Sequence, residues 1–182
     1  YYFFGCILFW LKKKSYVRVI VNMPETIMID LQELKFPIGE YEPNRNPDSY
    51  LLKQWIRDIE EFPGKVEAIT EDISLEQLNW KYRPGGWSMK QVIHHCADSH
   101  LNSIKRFKLT LTEDTPTIRP YDQDLWAGLI DANDYNIRSS IFLLKGLHAR
   151  WAVLLKSLTA EQLQLEFMHP EHGTKFNLAE TI

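Results

Sequence analysis

Apolar residues recur at three- and four-residue spacing along three long stretches of the chain, and each stretch predicts an amphipathic helix. The first opens at Asn46-Pro47-Asp48 and carries Leu51, Leu52, Trp55, Ile56, Ile59, Phe62, Val66 and Ile69 through about residue 72. Pro63 falls inside this pattern. The register resumes after it, so a kink is expected rather than a stop. The second stretch follows a Pro84-Gly85-Gly86 turn, with Ser88 as N-cap. Met89, Val92, Ile93, Cys96, Ile104, Phe107 and Leu111 form its stripe, which runs to about Thr112. The third spans Tyr135 to Leu158, with Ile137, Ile141, Leu144, His148, Trp151, Leu154, Leu155 and Leu158 on one face.

The connections carry their own signals. Ser74-Leu75-Glu76-Gln77 is a capping-box start for a short helix, and Thr159 to Leu163 repeats that signature. Glu113 to Asp122 holds two prolines and reads as a loop crossing one end of the domain. Leu125 to Asp131 reads as a short helix, and Phe167 to Phe176 as a short hairpin or loop. Asn177-Leu178-Ala179-Glu180 looks like the start of a fourth helix, where the sequence stops at Ile182. Three long helices cannot easily bury broad apolar faces without a fourth partner. The expected fold is therefore all-α, an up-down four-helix bundle with the fourth helix largely missing from this chain; a homodimer completing the bundle is the less economical alternative.

Three parts are expected: a doubtful extension over 1–22, an extended arm over 23–47 and the helical domain over 48–182. The arm reading rests on Leu34 to Arg45, whose Pro and Gly forbid a long helix. Tyr1 to Leu11 is nearly all apolar and is followed by Lys12-Lys13-Lys14. Eleven residues are too few to span a bilayer, and a signal peptide would put its positive charges first. A truncated membrane anchor, a core strand, and translated upstream sequence foreign to the natural protein all remain open. The last is favoured, because a well-behaved soluble sequence opens at Met23, the first methionine. Residues 1–22 therefore carry no functional argument.

Composition changes this picture only modestly. At 182 residues, 45% hydrophobic and 25% charged, the chain suits one soluble domain. A net charge of −3, with no basic cluster interleaved with aromatics, argues against a nucleic-acid surface. No membrane partner is expected either. Six Trp and eight Tyr point to aromatic packing or a lined pocket. Two cysteines make no disulfide framework, so a reducing, cytoplasmic setting is the default.

The chemistry concentrates on the second helix, where His94, His95 and His100, with Asp98, lie within two turns. At about 100° per residue, His100 sits near the centre of the apolar stripe and His95 on its flank, beside Ser99 and Val92. His94 and Asp98 lie on the opposite flank. Imidazole is a common ligand for zinc or nickel, and a catalytic site needs about three protein ligands plus an open position. Spacings of one, five and six residues offer no chelating pair on this helix, so further ligands would have to come from another. The competing structural reading makes His94 exposed, His95 the cap of a polar pocket and His100 a hydrogen-bonded core residue. In that reading His148 is a satisfied core histidine, while His169 and His172 flank Pro170 in a solvent-exposed turn.

Four runs resemble the YfiT-like family of metal-dependent hydrolases within the DinB-like superfamily, which also includes bacillithiol transferases. They are FPIGEY (36–41), YRPGGWSMKQVIHHCADSHLNSIKRFKLTLTEDTPTIRPYD (82–122), LHARW (147–151) and FMHPE (167–171), and the likeness covers roughly residues 34–182. The resemblance implies a four-helix bundle with one divalent metal, zinc or nickel, held by three histidines. His95 is the ligand it assigns to the second helix. The other two belong to an HxxxH pair on the fourth helix, beyond residue 182, so this chain is expected to bind metal poorly. Periodicity makes His100 the more inward residue, whereas the family register makes His95 the ligand; a ligand belongs beside an open position, which the flank supplies better.

The implied activity is hydrolysis of a small-molecule substrate by a metal-activated water. Asp98 or His94 could hold a ligand or move a proton, and no catalytic residue is assigned. The alternative is a metal-dependent S-transferase using a low-molecular-weight thiol of the bacillithiol type. A third reading is non-enzymatic, with metal only supporting the fold. The resemblance, with the surplus of aromatics, also implies a homodimer.

Overall fold

The computed structural model describes residues 36, 42 and 44–182. The expectations for residues 1–22, and most of those for the arm over 23–47, lie outside the described residues. Three long helices dominate: α1 (Ser49–Thr70), α2 (Met89–Thr112) and α4 (Arg138–Lys156). The short helices α3 (Gln123–Ala127) and α5 (Ala160–Leu163) lie on the connections. A two-stranded antiparallel hairpin follows, β1 (Glu166–His169) with β2 (Thr174–Asn177), in which Phe167 faces Phe176 in register.

α1, α2, α3 and α5 start at capping side chains, Asp48, Ser88, Asp122 and Thr159. The Asp48 carboxylate accepts from Leu51 N at 2.8 Å to open α1. At the head of α2, Ser88 N donates to Gln91 Oε1 at 2.9 Å, and the Gln91 amide reaches Ala127 O at 2.8 Å. One side chain thus caps α2 and pins α3 beside it. α4 starts three residues later than periodicity suggested, because Asp134 Oδ1 takes Asn136 N and Ile137 N bonds Tyr135 O in a preceding turn. The short helix expected over Leu125 to Asp131 divides into α3 and a 3₁₀ turn, Asp131–Asn133. Ser74 and Gln77 do form their reciprocal cap, but around a single 3₁₀ turn, Gln77–Asn79. At Asn177 the expected helix-start signature is present: Asn177 and Glu180 exchange backbone-to-side-chain bonds, both at 2.8 Å, around the turn Ala179–Thr181.

α4 packs against both α1 and α2. The core divides into two clusters. One joins Phe62, Val66, Ile93, Cys96, Ala97, Ile141 and Leu144, and the other joins Ile59, Ile104, Phe107, Trp151, Leu155, Phe167 and Leu178. Surface ion pairs of α4 with α1, Lys145–Glu67 and Lys156–Glu60, are half-exposed and add little.

Pro63 lies within α1 and is buried, and the helix continues past it. A proline has no N–H, so the carbonyl four residues earlier, that of Ile59, loses its helical donor. His148 of α4 takes that place: its Nδ1 donates to Ile59 O. His148 Nε2 in turn lies 2.7 Å from His100 Nδ1. A carbonyl only accepts, so His148 is protonated at Nδ1, and His100 donates from its own Nδ1. The pair is sandwiched between Phe62, 5.5 Å from the His148 ring, and Trp151, 5.8 Å from it, where the two clusters meet.

The hairpin is tied to the loop after α2. Ile118 N donates to Met168 O at 3.0 Å and Met168 N to Pro116 O at 2.9 Å. In the hairpin turn, 170–173, Glu171 shares a cleft with Tyr82 and Trp87, which precede α2. Among the described residues, no helix is long and apolar enough to cross a membrane.

Candidate metal site

His95 is 3% exposed. Its ring meets Trp87 at 4.8 Å and 63°, and lies 6.5 Å from Tyr121. Burial draws its pKa down to about 4, with the Asp124 carboxylate pulling weakly the other way. The imidazole is therefore neutral at pH 7, the form in which it ligates a metal. Trp87 is held in turn by Asp124, whose Oδ1 accepts from Nε1 at 3.0 Å, and Tyr121 packs on Trp126 at 4.4 Å. Trp87 and Tyr121 also line a cleft of about 490 Å³, together with Tyr82, Arg83, Asp124 and Glu171. His95 thus stands behind the aromatic wall of a polar cleft.

The neighbouring histidines have other duties. His94 is buried rather than exposed as the structural reading expected, because the segment leading into α4 folds over that flank of α2. Its Nε2 donates to Asp134 O at 3.0 Å and its Nδ1 accepts from Ser140 Oγ at 2.8 Å, so both ring nitrogens are committed. His100 is the inward residue that periodicity indicated, and His148 is its bonded partner. Burial lowers the pKa of both. His169, expected in solvent, is 8% exposed instead, packed against His172 at 4.5 Å and against Phe176 at 6.1 Å. Its strand pairing turns the ring inward, while His172 stays exposed as expected. Asp98 is half-buried, and burial followed by Asp131 raises its pKa. The Cys96 thiol is buried in the core, which pushes its pKa far up and keeps it protonated.

Three comparisons with known proteins bear on this arrangement. A family model described as the DinB superfamily matches residues 58–182. The chain belongs to the DinB superfamily. Among its relatives is a Bacillus subtilis protein named "Putative metal-dependent hydrolase YfiT", 46% identical over 138 residues, which make up 76% of this chain and 78% of that one. Similarly named proteins of Bacillus cereus and Oceanobacillus iheyensis are each 42% identical, over 82% and 77% of this chain and 86% and 81% of their own length. The solved structure of Bacillus subtilis YfiT matches with a TM-score of 0.78 at 43% identity, over 81% of this chain and 85% of that one. It is described as "a probable metal-dependent hydrolase with an unusual four-helix bundle topology". α1, α2 and α4 are three long helices of that bundle architecture.

The superfamily relatives are named for a metal, and the described residues fit one in part. His95 is a buried, neutral imidazole, a side chain of the type that ligates divalent transition metals. Among the described residues, no three His, Cys, Asp or Glu side chains come together as a ligand set. The cleft itself escaped the residue-level reading. Its lining comes from segments around 82–87, 121–124 and 171, and the high Trp and Tyr content was the sole sequence signal for it.

Proposed function

We propose that the protein is a metal-dependent hydrolase of a small-molecule substrate, with His95 as one ligand of a single divalent metal, zinc or nickel. The observation that carries this reading is the position of His95. It is the histidine of α2 whose ring packs against Trp87 and Tyr121, two of the residues lining the cleft. Its partners would be the two histidines of an HxxxH pair, outside the described residues, as the resemblance implies. When bound, such a metal supplies Lewis-acid activation of a water nucleophile and polarises the group under attack.

The rest of the proposal concerns this chain's own side chains. Trp87 fixes the ring plane of His95, and Asp124 fixes Trp87 through its indole N–H. Gln91 locks α3, and with it Asp124, onto the head of α2. The cytoplasmic setting and the homodimer rest on the same reading, supported by the small cysteine complement and the resemblance.

The test is metal content of the intact protein beside its His95→Ala variant. Metal affinity is expected to fall by more than about tenfold. Unchanged metal content after that substitution would sink the proposal. Activity assays with and without a low-molecular-weight thiol separate water-dependent cleavage from the S-transferase alternative.

A further inference from the structure

The cleft beside His95 has a charge and wall chemistry of its own, which the hydrolase reading does not use. Among the described residues, three carboxylates line it, Asp122, Asp124 and Glu171, against one guanidinium, Arg83. Arg83 is already engaged. Its Nε donates to Tyr82 Oη at 3.1 Å, one terminal nitrogen donates to Pro84 O at 3.3 Å, and the group lies over the Tyr82 ring at 5.1 Å. An organic cation is therefore seated on an aromatic plane in this wall, and it belongs to the protein. Arg106, whose charge is felt at Tyr121, does not line the cleft.

We propose that the cleft binds a small organic cation, a protonated amine or quaternary ammonium, between the aromatic rings of Trp87 and Tyr121 and the carboxylates of Asp124 and Glu171. This names the substrate class for the His95 site and rests on the hydrolase reading for its meaning, though not for its measurement.

Carboxylates alone would not make a site. What makes one is a cavity large enough for a small molecule whose wall joins ring systems to acids, the combination that attracts ammonium groups. The acids are not equivalent. Asp122 accepts from Leu125 N at 2.8 Å and caps α3. Asp124 gives one oxygen to Trp87 and keeps the other. Glu171 is exposed in the hairpin turn. An anionic ligand would meet three carboxylates against one guanidinium, two of whose five N–H donors are already bonded, so the wall favours a cation over an acid.

The probes are n-butylammonium, butanol, butyrate and γ-aminobutyrate, titrated into the intact protein by NMR with a chelator present. n-Butylammonium is expected to bind at least about fivefold more tightly than the other three, which is close to 1 kcal/mol. Asp124→Asn keeps the acceptor for Trp87 and removes only charge, and Glu171→Gln changes a side chain in an exposed turn. Each is expected to weaken n-butylammonium by about three- to tenfold while leaving the melting temperature unchanged. Equal binding of butanol would overturn the proposal, and so would tighter binding of butyrate or γ-aminobutyrate, or indifference of both variants. Because these titrations run without metal, their failure leaves the metal measurement on His95→Ala untouched, and the converse also holds.

Discussion

His95 and His100 sit five residues apart on one helix, both buried, and burial lowers the pKa of each. In those properties they look alike, yet their surroundings are opposite. His100 closes a chain of bonds that runs through His148 to a backbone carbonyl in the middle of the core. His95 packs against Trp87 and Tyr121, which line a cleft. A buried, neutral histidine is thus no signature of function by itself. What its ring meets decides the matter. Here the inward pair repairs a helix, for Pro63 removes the donor of Ile59 and His148 restores it.

The contrast predicts different costs. The largest effect belongs to the core pair: His148→Ala should destabilise the fold by about 2–4 kcal/mol, since it opens a cavity and strands a buried carbonyl. Urea unfolding reads this directly. Pro63→Ala returns an N–H to Ile59, so in its background the loss of His148 should cost about 1 kcal/mol less. Additivity of the two substitutions would show that the proline and the histidine are unrelated. His95→Ala should reverse the pattern, with a stability loss of about 1 kcal/mol or less and the metal-affinity loss already described. A larger stability loss at His95 than at His148 would erase the distinction between the two sites.

The pH dependence sharpens the same comparison. His100 and His148 have folded pKa values below the 6.5 of the unfolded chain. Below about pH 6.5 the unfolded state therefore binds more protons than the folded one, and stability falls as pH drops through that point. A doubly substituted protein, His100→Leu with His148→Leu, should show a flatter stability profile between about pH 6.5 and 5. An unchanged slope would mean that the pair is not what makes the fold acid-sensitive. The most local effect is expected at Gln91→Ala, which loosens α3 from α2 at a cost of about 1 kcal/mol. It should be visible as faster amide exchange over 123–133.

Much of this was legible in the letters. The three long helices, the starts at Asp48 and Ser88 and the inward turn of His100 follow from spacing and capping, because each depends on neighbours within a few residues, and a hairpin is one of two readings of 167–176. Where the reading failed, the partner came from far along the chain. His94 seemed exposed because its acceptor and donor, Asp134 and Ser140, lie 40 and 46 residues away. His169 seemed to belong to an open turn because nothing local announces that its strand pairs with the segment at Pro116 and Ile118.

The sequence by itself determined the helices, their register and the flank on which His95 would stand, since 3.6-residue periodicity and capping are local physics. Only the tertiary structure decided which histidine repairs the carbonyl freed by Pro63 and which packs against the cleft wall. It also decided that acids and aromatic rings from three distant segments share that wall. Contacts across tens of residues are selected by packing of the whole core, and no short stretch of letters carries that information.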